Sequence, residues 1–160
     1  MKKIHDILIK ELERGNDVSI ISEIDKLFAE KKLPLKKQAI QNNQTLYQGS
    51  FMVYPGKRVP FGLVIVNGEG VVDFQINFKK ITYLTNYSDK EKVLELINDL
   101  NMQHTFYYKL GLAGDGEIMM KTMAKTTEDI RPMYEMLIVG SNILKQVVTE
   151  LEKMIPATEK

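Results

Sequence analysis

The side chains that could perform acid, base or metal chemistry are few in this chain and lie far apart. The two histidines, His5 and His104, lack the spacing of a metal-binding pair such as H-x-x-x-H, and the chain contains no cysteine. Isolated histidines of this kind are typical of ordinary surface or strand positions. We therefore expect no metal site and no cofactor.

A glycine-rich segment, Gly111–Glu117, has a composition that some phosphate-binding loops share. It lacks the Lys-Ser/Thr pair of a P-loop, and a strand follows it where a P-loop would have a helix. Asp115 and Glu117 form a close pair of carboxylates, but an exposed turn offers no burial to separate their pKa values for acid–base catalysis. The dipeptide Asp115-Gly116 is typical of a hairpin turn. We predict that the protein is not an enzyme.

Length and composition indicate one globular domain. The chain has 160 residues, of which 44% are hydrophobic and 27% charged, as in ordinary globular proteins. Residues 1–14 carry charges and so lack the uninterrupted apolar core of a signal peptide. The chain also contains no stretch of about 18 apolar residues, the length that is needed to cross a membrane. The absence of cysteine fits a reducing compartment. We expect a cytoplasmic protein without membrane contact.

Charge is balanced overall but uneven along the chain. The formal net charge of +1 gives no strong field for nucleic acid. Residues 34–80 nevertheless carry six basic side chains (Lys36, Lys37, Lys57, Arg58, Lys79 and Lys80) against Glu69 and Asp73. A nucleic-acid-associated regulator is therefore one alternative. We favour solvated lysines at sheet edges, because the chain has only three arginines and arginine is the usual reader of phosphate and guanine.

Apolar spacing predicts helices in the first 33 residues. Ile4 to Leu12 follow a helical period before Gly15, and the stretch from Ile20 to Phe28 places its apolar residues on one face. We interpret 1–33 as a helical hairpin and the polar, aperiodic segment 34–45 as a linker. Residues 46–160 then form an α+β domain, and the whole chain forms a single compact unit.

The middle of the chain is typical of β-structure. We predict strands over 46–54, 60–66 and 71–84, and later over 105–110 and 117–124. In the third strand Val72, Phe74, Ile76 and Phe78 alternate with polar residues, which indicates a sheet with one dry face. A capping box at Ser88–Glu91 predicts a helix between the two groups of strands.

A long final helix is predicted over about 127–155. Pro132 either marks its true start or follows a short turn that precedes a kink. The predicted order is α-α-β-β-β-α-β-β-α. It indicates an α+β fold with a five-stranded antiparallel sheet and helices packed on its apolar face.

The phrase Leu-Ile-Asn-Asp-Leu-Asn at Leu96–Asn101, followed by the hairpin segment Asp115–Lys121, resembles the YbjN family. The similarity covers about residues 46–155, mainly as element order. Members of that family share the type III secretion chaperone-like fold. The resemblance implies a non-catalytic, often dimeric, cytoplasmic protein that holds a client segment.

Methionine is the most informative residue type, with nine in the chain. Met119 and Met123 lie on the face of their predicted strand opposite Met120, so this strand has apolar groups on both sides. The final helix has a wide apolar stripe, and methionine suits surfaces that accept varied partners. Plain core filling would also explain these residues. We predict that the partner-binding residues are Tyr107, Met119, Met123, Met136, Val139 and Ile143.

Together these features favour a chaperone-like or adaptor-like module that binds a client protein segment and forms a homodimer. The client would add a strand or pack an apolar helix on the exposed surface. A small enzyme, or a small-molecule-binding domain with a cleft between sheet and helices, is a further alternative. We do not expect nucleic acid to be the partner.

Overall fold

The computed structural model describes residues 19–156. They form an α+β fold in which one antiparallel sheet is packed against helices. The elements in chain order are α1 (Ile20–Glu30), β1 (Lys36–Ile40), β2 (Gln44–Tyr54), β3 (Lys57–Val66), β4 (Val72–Tyr83), a 3-10 turn (Tyr87–Asp89), α2 (Lys90–Gln103), β5 (Lys109–Leu112), β6 (Glu117–Thr126) and α3 (Arg131–Glu152).

The sheet has six strands, in the order β1-β2-β3-β4-β6-β5, and not the five predicted. The additional strand is β1, which lies inside the segment predicted to be a linker, 34–45. Asn42 and Asn43 take positive φ values of 62° and 53° and so form the tight turn into β2. β1 shows no apolar alternation because it is an exposed edge strand that main-chain pairing with β2 holds in place.

One face of the sheet, here called the inner face, supplies the core. Alternate residues of the central strands point to it and are buried, among them Leu63, Ile65, Phe74 and Ile76. The long helix α3 contacts β2, β4 and β6, and α2 contacts β5. All three helices contribute buried residues to this core. The opposite side of the sheet is here called the open face.

Helix α1 begins where Ser19 accepts a hydrogen bond from the Ser22 amide at 3.1 Å. Asp25 then joins the helix to the sheet, because it accepts a 2.8 Å hydrogen bond from the Tyr47 hydroxyl and a 2.6 Å contact from Lys37 Nζ. Burial, followed by this bond to Asp25, raises the pKa of Tyr47. The helix predicted at 4–12 lies outside the described residues, so only the second half of the predicted helical hairpin is described.

The two alternatives for Pro132 are resolved in favour of a true helix start. Helix α3 begins at Arg131, with Pro132 in its first turn, where a proline removes no helical hydrogen bond. Asp129, just before the helix, accepts a 2.7 Å bond from Arg131 Nε, and this bond lowers the pKa of the Asp129 carboxyl to about 2.

Candidate functional site

The predicted methionines of β6 lie where the alternation placed them. Met120 is fully buried on the inner face, whereas Met119 and Met123 point to the open face. Met123 is 69% exposed and Met119 is half-buried. The helices lie on the other side of the sheet, so no described helix covers this methionine pair.

The other predicted partner residues do not form one surface with these methionines. Val139 is 37% exposed, but it lies on α3, in the helical layer. Met136 is half-buried and packs against the core. Ile143 is only 4% exposed and belongs to the core of the monomer, so it offers no surface to a partner. The apolar stripe of α3 is wide because the sheet and α2 both pack against this helix.

Tyr107 lies in the turn between α2 and β5 and is 43% exposed. Its carbonyl accepts a 3.0 Å hydrogen bond from the Thr122 hydroxyl of β6, so this turn is fixed to the end of the β5–β6 pairing. Partial burial, with a smaller effect of Glu135, raises the pKa of Tyr107. The preceding residue, Phe106, is 78% exposed and has a positive φ of 52°, which is unusual for a bulky side chain.

Strand β6 is longer than its neighbour β5, and this difference leaves part of β6 without a described partner on one side. The β5–β6 pairing ends where Lys109 lies opposite Lys121. Beyond that point, Thr122–Thr126 pair with β4 on one side, and no strand of the described chain pairs with them on the other. We call this stretch the free edge of β6.

Main-chain groups at the free edge point outward at two residues. The amide of Ala113 donates to the carbonyl of Glu117 where the β5–β6 hairpin closes, so Glu117 directs its main chain toward β5. Along an antiparallel strand, successive residues direct their main-chain amide and carbonyl to opposite sides of the strand. Met123 and Lys125 therefore direct their amides and carbonyls to the free edge, which is the arrangement that accepts an added strand.

The open face is basic. Its strands carry six basic side chains against two acidic ones, namely Lys36, Arg58, Lys79, Lys109, Lys121 and Lys125 against Asp73 and Glu117. Lys125 pairs with Asp73 at 2.6 Å, and Glu117 accepts the main-chain amide of Lys80 at 2.9 Å. Within residues 19–156 the other five basic side chains form no salt bridge. A segment with some acidic residues would therefore suit this face.

Sequence reasoning missed Lys121 and Lys109, which lie beside the methionine pair. Lys121 separates Met119 from Met123 on the same face of β6, and strand alternation alone would have shown this. Lys109 lies directly opposite Lys121, and like charges in that position are unfavourable. Its position depends on the register of β5 against β6, which the sequence does not reveal.

The acidic pair Asp115 and Glu117 has a structural role in the turn. Asp115 Oδ1 accepts the amide of Glu117 at 3.0 Å, and Glu117 Oε1 accepts the amide of Lys80. In the part of the chain that the structure describes, no group of three or more His, Cys, Asp and Glu residues could hold a metal ion. None of the described helices is both long enough and apolar enough to cross a membrane.

Comparison with protein-family models and with curated proteins gives no match to this chain. The resemblance to the YbjN family and to type III secretion chaperones therefore remains a prediction.

Proposed function

We propose that this protein is a non-catalytic, chaperone-like or adaptor-like module that holds an extended segment of a client protein. The client would add a strand along the free edge of β6, in line with β5. The observation that carries this proposal is Met123, an apolar side chain that is 69% exposed beside a strand edge without a described partner. Main-chain hydrogen bonds would supply affinity, and the methionines would tolerate varied client side chains.

A protein client suits the open face better than single-stranded nucleic acid does. Nucleic-acid platforms of this kind stack bases on exposed aromatic rings. Here the rings in the middle of the strands, Tyr47, Phe61, Phe74 and Phe78, are buried on the inner face. The centre of the open face instead presents aliphatic, amide and lysine side chains.

The proposal includes a cytoplasmic location and a homodimer, both expected from the sequence. Exposed Val139 on α3, with half-buried Met136 one turn before it, supports a dimer contact on the helical side. The order from β2 onward, three strands, a helix, two strands and a long helix, is the order on which the resemblance to the YbjN family depends.

Replacing Met119 and Met123 together by glutamate is expected to weaken client binding at least tenfold, which corresponds to about 1.4 kcal/mol. Each glutamate would place a charge where the client buries apolar surface. The probe is a fluorescein-labelled peptide that alternates valine and threonine, titrated with the full chain and followed by fluorescence anisotropy. The same peptide with alternate N-methylated residues should bind weakly, because it cannot complete the strand pairing.

Met102→Glu is the matched control, because Met102 is 78% exposed but lies at the end of α2. This variant should bind the probe like the original protein. If the double variant does not unfold cooperatively, the milder Met123→Thr should still lower affinity. If none of the variants on the open face changed peptide binding, the proposal would be refuted.

A further inference from the structure

Within the described residues, β2 also has a half that lacks a paired strand on one side, near the end of the sheet opposite β5. β1 has five residues and β2 has eleven. Their pairing begins where Lys36 lies opposite Gln48. The second half of β2, residues 49–54, pairs with β3, and no strand of the described chain pairs with its other side.

Two residues of this half-strand direct their main chain outward. The amide of Asn67 donates to the carbonyl of Asn43 at 2.9 Å where β2 and β3 meet, so odd-numbered residues of β2 bond toward β3. Ser50 therefore directs its amide and carbonyl away from β3, as does Met52, which lies just before the β-bulge. Met52 is also 51% exposed.

A cavity of about 380 Å³ lies beside this edge. Its apolar lining includes Leu33, Leu35, Phe51 and Phe61, and the two phenylalanine rings stack with centroids 4.8 Å apart. Gly49 allows the Leu35 side chain to pack beside β2, because a Cβ atom at position 49 would lie 2.5 Å from Leu35 Cδ2. The cavity is large enough to accept an apolar side chain of an added strand.

The charged residues that line the cavity are both basic, Lys36 and Arg58. Among the described residues neither forms a salt bridge, and Arg58 Nη1 contacts the Ser50 hydroxyl at 3.2 Å. Arginine presents several donors in a geometry that suits a carboxylate. The charge of this site therefore complements an acidic partner.

We propose that residues 49–54 of β2, on the side away from β3, form a second peptide-binding site, which takes an extended acidic segment of a partner protein. The segment adds a strand beside Ser50 and Met52, places an apolar side chain in the cavity, and directs carboxylates to Lys36 and Arg58. This site is separate from the free edge of β6, so it can be tested in a chain whose β6 site is blocked by Met119→Glu/Met123→Glu, independently of the function proposed above.

Residues 1–18 of the chain itself are a less suitable occupant. They contain the apolar residues Ile4, Ile7, Leu8 and Leu12, but their four acidic side chains are balanced by four basic ones. A segment without an excess of negative charge gains little from Lys36 and Arg58. An acidic partner segment gains from both.

The test uses the full chain and a fluorescein-labelled peptide that alternates valine and glutamate. The double variant Lys36→Glu/Arg58→Glu is expected to raise the Kd of this peptide at least tenfold. Lys90→Glu/Lys92→Glu, which makes the same charge change on the exposed side of α2, should leave the Kd within about twofold. The valine–lysine peptide should bind worse than the valine–glutamate peptide, and an N-methylated version of the latter should not bind.

Three results would overturn the inference. The first is that Met119→Glu/Met123→Glu abolishes binding of the acidic peptide, whereas Lys36→Glu/Arg58→Glu leaves it unchanged. This result would place the peptide at β6 and would leave the proposed function standing. The second is equal loss of binding in the α2 control, which would indicate attraction to net charge alone. The third is a gain in affinity on Ile7→Ser/Leu8→Ser, which removes apolar groups without adding charge and would identify residues 1–18 as the occupant of this edge.

Discussion

Replacing Gly140 by alanine is expected to destabilise the protein by about 2 kcal/mol, although alanine is the better helix former by about 1 kcal/mol. A Cβ atom at this position of α3 would lie 2.5 Å from the Tyr108 hydroxyl oxygen and 2.9 Å from Phe78 Cε2. Neither neighbour can move aside easily, because Phe78 is 0% and Tyr108 1% exposed. The Tyr108 hydroxyl is also held by a 2.7 Å hydrogen bond to the Met136 carbonyl.

The free energy of unfolding, measured in urea, checks this prediction. Gly111→Ala is the matched control, because a Cβ atom there would meet nothing within 4 Å. Combining Gly140→Ala with Tyr108→Phe should recover part of the lost stability, since the phenylalanine lacks the oxygen nearest the new methyl group. A Gly140→Ala variant as stable as the original protein would show that α3 can move away from the sheet.

The contact at Gly140 also corrects an expectation about α3. From the sequence, the wide apolar stripe of this helix suggested a surface for a partner, and the space beside Gly140 lies within that stripe. The structure fills this space with two side chains of the same chain, Tyr108 and Phe78. The width of an apolar stripe shows how much of a helix is buried, but it does not distinguish the chain's own sheet from a second protein.

Local periodicity predicted the parts of the fold that depend on neighbouring residues. The alternation in β4 is confirmed, with Val72, Phe74, Ile76 and Phe78 all buried. The helix predicted after Ser88 is also present as α2, but the capping box is not. Instead, Asn86 accepts a hydrogen bond from the Ser88 amide and caps a 3-10 turn. Helix α2 then begins at Lys90.

The features that define the candidate sites depend on pairing between distant residues. Alternation alone was enough to place Met119 and Met123 on one face. The free edge beside Met123 exists because β5 begins only at Lys109, opposite Lys121, whereas β6 continues to Thr126, and no local pattern encodes that difference in length. β1 escaped prediction for a related reason, since an exposed edge strand needs no apolar alternation.

Replacing Gly116 by alanine is expected to have a larger effect, a loss of about 3 kcal/mol. Gly116 has a φ of 90°, which alanine adopts only with strain, and a Cβ atom there would lie 2.5 Å from the carbonyl oxygen of Leu84. Because that neighbour is main chain, it cannot avoid the clash by changing rotamer. The Leu84 amide also donates to the Gly116 carbonyl at 2.8 Å, so any shift would weaken the link between β4 and the β5–β6 hairpin.

Gly114→Ala in the same turn is the control, because a Cβ atom there would meet nothing within 4 Å. It should change the free energy of unfolding in urea by no more than about 0.5 kcal/mol. Equal stability of the two variants would contradict the prediction. Gly116 also fixes where the hairpin closes, and hence the register that places Lys109, the first residue of β5, opposite Lys121. If Gly116→Ala still folds, the valine–threonine peptide should therefore bind it more weakly, even at temperatures where it is fully folded.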